Sequence, residues 1–308
     1  MQISENNSID TDRLNKLKDK VNKMIQQIEE YKNLPKVLII GNYESGKSTI
    51  LKLLTNPELP IDFGQYSDFS IDFKLPSMVV DPQHHFVLCE SHLYSEYPFY
   101  NPNDMFYNTE NEIINSLFIE YLLKNEKQLK ILAVASEREF SGRRYGAMSL
   151  FEIIHRTFLI RKQLQKGLGI VLTKTKRYNE KLRYIDAIKH TILSLQHGDY
   201  VDYSTFKWTK PQLMAMDLCD FFKENPDYIF VLPKASKKNA GQKYDFDDRQ
   251  RLECFLQKDF ISNPIYKVSL SEEAMAILKK LDKVSQKTSS DQKKQIRKMI
   301  VFYSNKFE

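Results

Sequence analysis

The sequence predicts an α/β fold, a three-layer structure in which a mostly parallel sheet has helices on both faces. Three observations lead to this prediction. The strand candidates are apolar throughout, which is typical of strands buried on both faces. Amphipathic helices separate them along the chain. The first strand runs through a glycine-bounded loop into a helix. The strand candidates lie at 38–40, 86–89, 130–135, 169–172 and 228–232.

The helices are predicted from apolar residues that recur every three or four positions. The first helix lies before Pro35 and has a heptad seam, which either docks on the globular domain or joins two copies of the chain. Two capping boxes, at 269–272 and 289–292, predict helices near the C-terminus. The seam consists of Leu14, Leu17, Val21, Met24, Ile28 and Tyr31. Further helices are expected at about 47–54, 113–122, 150–159, 182–195 and from about 209, with short strands at 71–73 and 78–80.

These elements divide the chain into three regions. Residues 1–34 form an N-terminal amphipathic helix, 35–265 one α/β domain, and 266–308 a lysine-rich helical extension. A protein partner, whose identity the sequence does not give, is expected to bind the heptad helix or the C-terminal helices.

Composition favours a folded cytoplasmic protein. Of the 308 residues 42% are apolar, and the net charge of +6 is spread along the chain, which does not favour nucleic-acid binding. No apolar run is long enough to span a membrane. The three cysteines are far apart and form no C-x-x-C pair, which indicates a reducing compartment and no zinc site.

The loop after the first strand fits the pattern G-x-x-x-x-G-K-[ST] at every position, which defines a phosphate-binding P-loop. Its glycines allow successive N–H groups to point at a phosphate, and the following helix directs its positive end at the same anion. Lys47 is expected to reach the terminal phosphates, Ser48 to hold Mg²⁺, and the acidic Glu44 to point to solvent. The predicted phosphate-binding residues are Gly41, Asn42, Tyr43, Glu44, Ser45, Gly46, Lys47, Ser48 and Thr49.

The segments after the later strands also contain polar motifs, and Thr173-Lys174-Thr175-Lys176 follows the strand at 169–172. With the P-loop, these segments resemble the translation-factor-related P-loop GTPases over about 35–240. They look closest to the septin, dynamin and immunity-associated group, whose base motif is T-K-x-D. The resemblance implies GTP or GDP as ligand with Mg²⁺. It also implies that Thr173 and Lys174 lie on the base side and that the backbone N–H of Ala235 bonds the base.

The chain departs from the family pattern at several positions. Ser70 or Ser67 stands where the family has a Mg²⁺-binding threonine, and Glu90 replaces the aspartate of D-x-x-G. Leu93 replaces the glycine of that motif. His92 is the candidate for positioning the attacking water. Lys176 stands where an aspartate would bond guanine, and a cation cannot accept those hydrogen bonds.

The sequence therefore leaves three functions open. The first is a guanine-nucleotide-binding, GTPase-like protein with weak or absent hydrolysis. The second is a P-loop protein that binds ATP or is indifferent to the base. The third is a structural pseudo-GTPase that acts as an interaction scaffold in a larger assembly.

Overall fold

The structure is a computed structural model, and it describes fourteen parts of the chain. These are residues 11–42, 45–56, 76–81, 86–91, 105–125, 128–141, 150–151, 154, 167–175, 181–194, 210–234, 248–258, 260–262 and 272–285.

Within these parts, helices lie between most of the strands along the chain. The helices are α1 Thr11–Glu30, α2 Lys47–Thr55, α3 Met105–Asn125, α4 Glu137–Ser141, α5 Lys181–Ser194, α6 Lys210–Glu224, α7 Arg249–Gln257 and α8 Glu272–Ser285. The strands are β1 Lys36–Gly41, β2 Ser77–Val80, β3 Val87–Glu90, β4 Gln128–Ser136, β5 Leu168–Thr175, β6 Ile229–Pro233 and β7 Ile261–Ser262. Leu150, Phe151 and Ile154 are helical and buried, in the segment predicted as a helix.

The strands form one mixed sheet in the order β2-β3-β1-β4-β5-β6. The pairs β1–β3, β1–β4, β4–β5 and β5–β6 are parallel, whereas β2 runs antiparallel to β3. The short β7 pairs antiparallel with the start of β4. The α/β prediction is therefore confirmed, and the carboxyl ends of five strands meet at one edge of the sheet, where ligands bind in folds of this type.

Side chains alternate between two hydrophobic layers, one on each face of the sheet. In β1, Leu38 and Ile40 join the layer that contains α1, α3, α5, α6 and α8. Val37 and Ile39 of the same strand join the opposite layer with α2 and α7. This alternation is what a strand buried on both faces requires.

The heptad seam of α1 packs inside the chain. Leu17, Val21, Met24 and Ile28 are at most 3% exposed, and they lie in the same layer as apolar residues of α3 and α8. Two polar contacts join α1 to α3: Lys20 Nζ lies 2.6 Å from Glu110 Oε1, and the Tyr121 hydroxyl donates to Glu29 Oε1 at 2.5 Å. The structure thus has the docked arrangement, and the seam faces the domain rather than a second copy.

Among the described residues, the short elements α4, α7 and β7 were not predicted. The last two lie beside a buried lysine, Lys130 of β4, which is 0% exposed. Its Nζ donates to the carbonyl oxygens of Phe255 and Lys258 at the end of α7, and it lies 3.9 Å from the Phe255 ring centroid. The cation is therefore buried against the negative end of a helix, where its hydrogen bonds offset its desolvation.

Two predicted elements fall outside the described residues, the strand at 71–73 and the helix after 289. Across the described part of the chain, no helix combines the length and the apolar character that crossing a membrane requires.

Candidate functional site

The predicted phosphate loop lies at the carboxyl edge of the sheet, between the end of β1 at Gly41 and the start of α2 at Lys47. A Cβ on Gly41 would lie 2.2 Å from the carbonyl oxygen of Val134 and 2.6 Å from Ser45 Oγ. Gly46, the residue before α2, has a φ of 103°, which L side chains rarely adopt. Both glycines of the motif are thus required, the first by a close approach to β4 and the second by its backbone conformation.

Lys47 bridges the loop. Its side chain is buried, and its Nζ donates to the carbonyl oxygens of Gly41 at 2.7 Å and Asn42 at 2.8 Å. Asn42 O also accepts the backbone N–H of Ser45 at 3.1 Å, so Lys47 and Ser45 share one acceptor. The cation therefore lies among the backbone groups that the motif assigns to phosphate.

A hydroxyl and a carboxylate meet next to the loop. Ser48 Oγ donates to Glu90 Oε1 at 2.6 Å, and Glu90, the last residue of β3, is 6% exposed. The longer side chain of glutamate thus reaches the serine that the motif assigns to Mg²⁺. Among the described residues no group of three or more His, Cys, Asp or Glu could hold a metal ion. This pair of hard oxygens still fits Mg²⁺, which takes one or two protein oxygens and completes its shell with water and phosphate.

The end of β5 is hydrogen-bonded to the phosphate loop. Thr173 is 1% exposed, and its Oγ1 donates to the carbonyl oxygen of Ser45. Its side chain also lies 3.2 Å from where a Cβ on Gly46 would stand. Lys174 is exposed and has a φ of 57°, a left-handed conformation that non-glycine residues adopt rarely. Thr173 is therefore a buried brace under the phosphate loop, while Lys174 is exposed to solvent.

The segment before Ala235 is bonded to the T-K segment. The backbone N–H of Lys234 donates to the carbonyl oxygen of Thr175 at 2.8 Å, beyond a shift in the register of β5 and β6. The two segments to which the resemblance assigns the base are thus adjacent.

Two further features of the loop were not predicted from the sequence. Ser45 Oγ is buried, and no described residue provides it with a hydrogen-bond partner. Asn42 Nδ2 donates to Glu139 Oε1 of α4 at 2.6 Å. The spacing Ser136-x-x-Glu139 is a capping-box signal that could have located α4, but no local pattern connects α4 to Asn42.

The structure brings together the predicted residues Gly41, Asn42, Ser45, Gly46, Lys47, Ser48, Glu90 and Thr173. Thr49 is exposed in the first turn of α2. Other positions lie outside the described residues, namely Tyr43, Glu44, Ser67, Ser70, His92, Leu93, Lys176 and Ala235.

Comparison with known proteins gives distant structural matches alone. No family model and no curated protein matches the chain. A dimerization-deficient mutant of Toc33 from Arabidopsis thaliana is 12% identical, with 80% of this chain and 95% of that chain covered and a TM-score of 0.39. An S. thermophilus NFeoB mutant without nucleotide is 15% identical, with 89% and 91% covered and a TM-score of 0.27. A second NFeoB mutant, bound to GDP, is 14% identical, with 89% and 90% covered and a TM-score of 0.28. The assignment of the fold rests on the strand order of the chain itself.

Proposed function

We propose that this protein binds a guanine nucleotide with Mg²⁺ at its P-loop and hydrolyses it slowly or not at all. The main support is the hydrogen bond of 2.6 Å between Ser48 Oγ and Glu90 Oε1, next to the buried Lys47. A P-loop sequence alone predicts a phosphate site. The added carboxylate beside the serine is what a triphosphate with its metal ion requires.

Phosphate binding follows from the exchange of hydrogen-bond partners by Lys47. Within the described part of the chain, its Nζ donates to the neutral carbonyl oxygens of Gly41 and Asn42. A phosphate oxygen is a stronger acceptor than a carbonyl oxygen for this ammonium because it carries a negative charge. The N-terminus of α2 adds its positive partial charge at the same place.

Bound Mg²⁺ would neutralise charge that develops on the β- and γ-phosphates. On the protein, Ser48 and Glu90 are the residues that would hold it. The two side chains are oriented before any ligand arrives because each is the hydrogen-bond partner of the other. Ser70 remains a further proposed ligand from the sequence.

Guanine is the base that the T-K segment and the sequence position of Ala235 favour, by the resemblance. Lys176 opposes guanine specificity because it replaces the aspartate that accepts hydrogen bonds from the base. A base-indifferent or ATP-binding protein is therefore the second candidate function, and this single substitution is what favours it.

Slow hydrolysis is proposed because no residue of the chain is a clear match for the one that positions the attacking water. His92 is the candidate, and it stands in E-S-H-L, where Leu93 lacks the backbone freedom of the family's glycine. If no turnover and no nucleotide binding occur, the domain is a scaffold, which is the third candidate.

Isothermal titration calorimetry with GTP, GDP, ATP and ADP, each with Mg²⁺ or with EDTA, separates these functions. Lys47→Ala should abolish binding, whereas Lys52→Ala should not, because Lys52 is exposed on the same helix. Equal affinities for GTP and ATP would exclude guanine specificity. If none of the four nucleotides binds, the interaction scaffold is the one candidate function that remains. Phosphate release from bound GTP then measures hydrolysis.

A further inference from the structure

Asn42 makes three hydrogen bonds to described residues in and beside the phosphate loop. Its backbone carbonyl accepts the Lys47 ammonium at 2.8 Å and the Ser45 N–H at 3.1 Å. Its side-chain amide leaves the loop and donates to Glu139 Oε1 at 2.6 Å. The position of the loop therefore depends on what holds Glu139.

Glu139 is held by the start of its own helix. Its second carboxylate oxygen, Oε2, accepts the backbone N–H of Ser136 at 2.5 Å and the Ser136 hydroxyl at 2.8 Å. Ser136 is the last residue of β4, in the centre of the sheet, where it pairs with Thr173 of β5. One carboxylate thus links the phosphate loop to two central strands, with one oxygen for each side of the link.

We propose that Glu139 is a positioning residue for the phosphate loop: it fixes Asn42, and with it the carbonyl that accepts Lys47 and Ser45, before a nucleotide binds. This inference rests on the proposed function and deepens it. A loop that is already ordered loses less conformational entropy on binding, so the affinity for the ligand is higher.

Positioning and electrostatic repulsion by Glu139 have opposite effects on nucleotide affinity. A carboxylate near an anionic ligand repels it, so removal of the Glu139 charge by itself would tighten nucleotide binding. Removal of the positioning contact would weaken it. The sign of the change therefore distinguishes the two effects.

Glu139→Gln is the main variant. A glutamine has one acceptor oxygen and one donor nitrogen, so it cannot accept from Asn42 and from Ser136 at once. Glu139→Asp keeps the charge, but its side chain is one methylene shorter and cannot span both contacts. Glu137→Gln removes the same charge from the same turn of α4 and is the matched control.

We expect both Glu139 variants to raise the Kd for GDP–Mg²⁺ about tenfold, the equivalent of one charge-assisted hydrogen bond. Glu137→Gln should change it by less than about twofold. The Kd of the double variant Asn42→Ala/Glu139→Gln for GDP–Mg²⁺ should lie within about twofold of that of Asn42→Ala alone. Both changes remove the same contact, the hydrogen bond between Asn42 and Glu139, so their effects should not add. Tighter or unchanged binding by Glu139→Gln would overturn the proposal.

Amide hydrogen exchange of nucleotide-free protein provides the second measurement. The peptide spanning 41–47 should exchange faster in Glu139→Gln, while peptides from β6 should be unchanged. If the wild-type protein binds no nucleotide, the proposed function fails. The exchange rates then decide the positioning role, and an unchanged rate at 41–47 overturns it.

Discussion

The hydroxyl of Thr173 donates a hydrogen bond to the backbone carbonyl of Ser45, so the end of β5 is bonded to the loop that follows β1. Both residues are at most 1% exposed. The segment that the resemblance assigns to base recognition is thus also a structural support of the phosphate loop.

Thr173→Val should lower the free energy of unfolding by about 1–3 kcal/mol, because it keeps the shape of the side chain but leaves the buried Ser45 carbonyl without this donor. Urea denaturation measures the change. Thr173→Ser keeps the hydroxyl and loses a methyl group, so it is the control for lost packing. A Thr173→Val protein as stable as the wild type would show that the hydrogen bond contributes little.

Glu90→Gln should remove most of the increase in nucleotide affinity that Mg²⁺ produces. The neutral amide no longer offers a negative oxygen beside Ser48, and loss of such a metal-binding contact costs about tenfold or more in affinity. Titrations of GDP with Mg²⁺ and with EDTA measure the increase for each protein. In EDTA the variant should bind as the wild type does. An undiminished effect of Mg²⁺ in the variant would exclude Glu90 as a ligand.

Burial of Cys219 makes stability sensitive to alkaline pH. Desolvation is the largest cause that raises the pKa of its thiol, from 9.0 to about 12, and the charge of Asp220 acts in the same direction. The pKa of the thiol is higher in the folded than in the unfolded protein. The contribution of the buried, neutral thiol to the free energy of unfolding is therefore complete below pH 9 and is lost as the pH rises toward 12. The loss is at most about 1.4 kcal/mol per pH unit.

The comparison of Cys219→Ala with Cys254→Ala isolates this effect, because Cys254 is exposed. Thermal or urea unfolding is followed from pH 7 to 11. Cys254→Ala should lose stability above pH 9 as the wild type does, and Cys219→Ala should lose less. Parallel curves for the two variants would show that Cys219 does not control the loss.

Lys130→Met should destabilise the protein by about 1–3 kcal/mol although methionine suits a buried strand. The variant leaves two carbonyl oxygens at the end of α7, those of Phe255 and Lys258, without the ammonium that now bonds them. Lys130→Arg keeps the positive charge but has a larger side chain. Its stability therefore shows whether the charge alone is enough or whether the size of lysine is also needed. A more stable Lys130→Met protein would mean that the desolvation of the lysine outweighs its hydrogen bonds.

The strands and the phosphate loop could be predicted because their signals are local. Leu38 to Ile40 are apolar on both faces, and Gly41, Gly46 and Lys47 have the spacing that a phosphate loop needs. Each signal lies within a dozen residues, so composition and order are enough to recognise it.

The contacts of Lys130 and Asn42 could not be predicted, because each depends on residues far along the chain. Lys130 is bonded to α7, whose apolar residues Leu252, Phe255 and Leu256 have helical spacing in a short, charged segment. Asn42 is bonded to Glu139, 97 residues away. Such contacts follow from strand order, which brings the ends of β1 and β4 together, and not from any local pattern.

The packing of α8 against α3 has a consequence for synthesis on the ribosome. Ala274, Ile277 and Leu278 of α8 lie in the same hydrophobic layer as α3 and α1. About 150 residues separate α3 from α8, and at roughly 5–20 residues per second their translation takes about 7–30 seconds. During that interval the nascent chain presents an apolar helix face that its own C-terminal part has not yet covered. Folding of this layer is therefore completed late, and chaperones have a defined surface to protect until then.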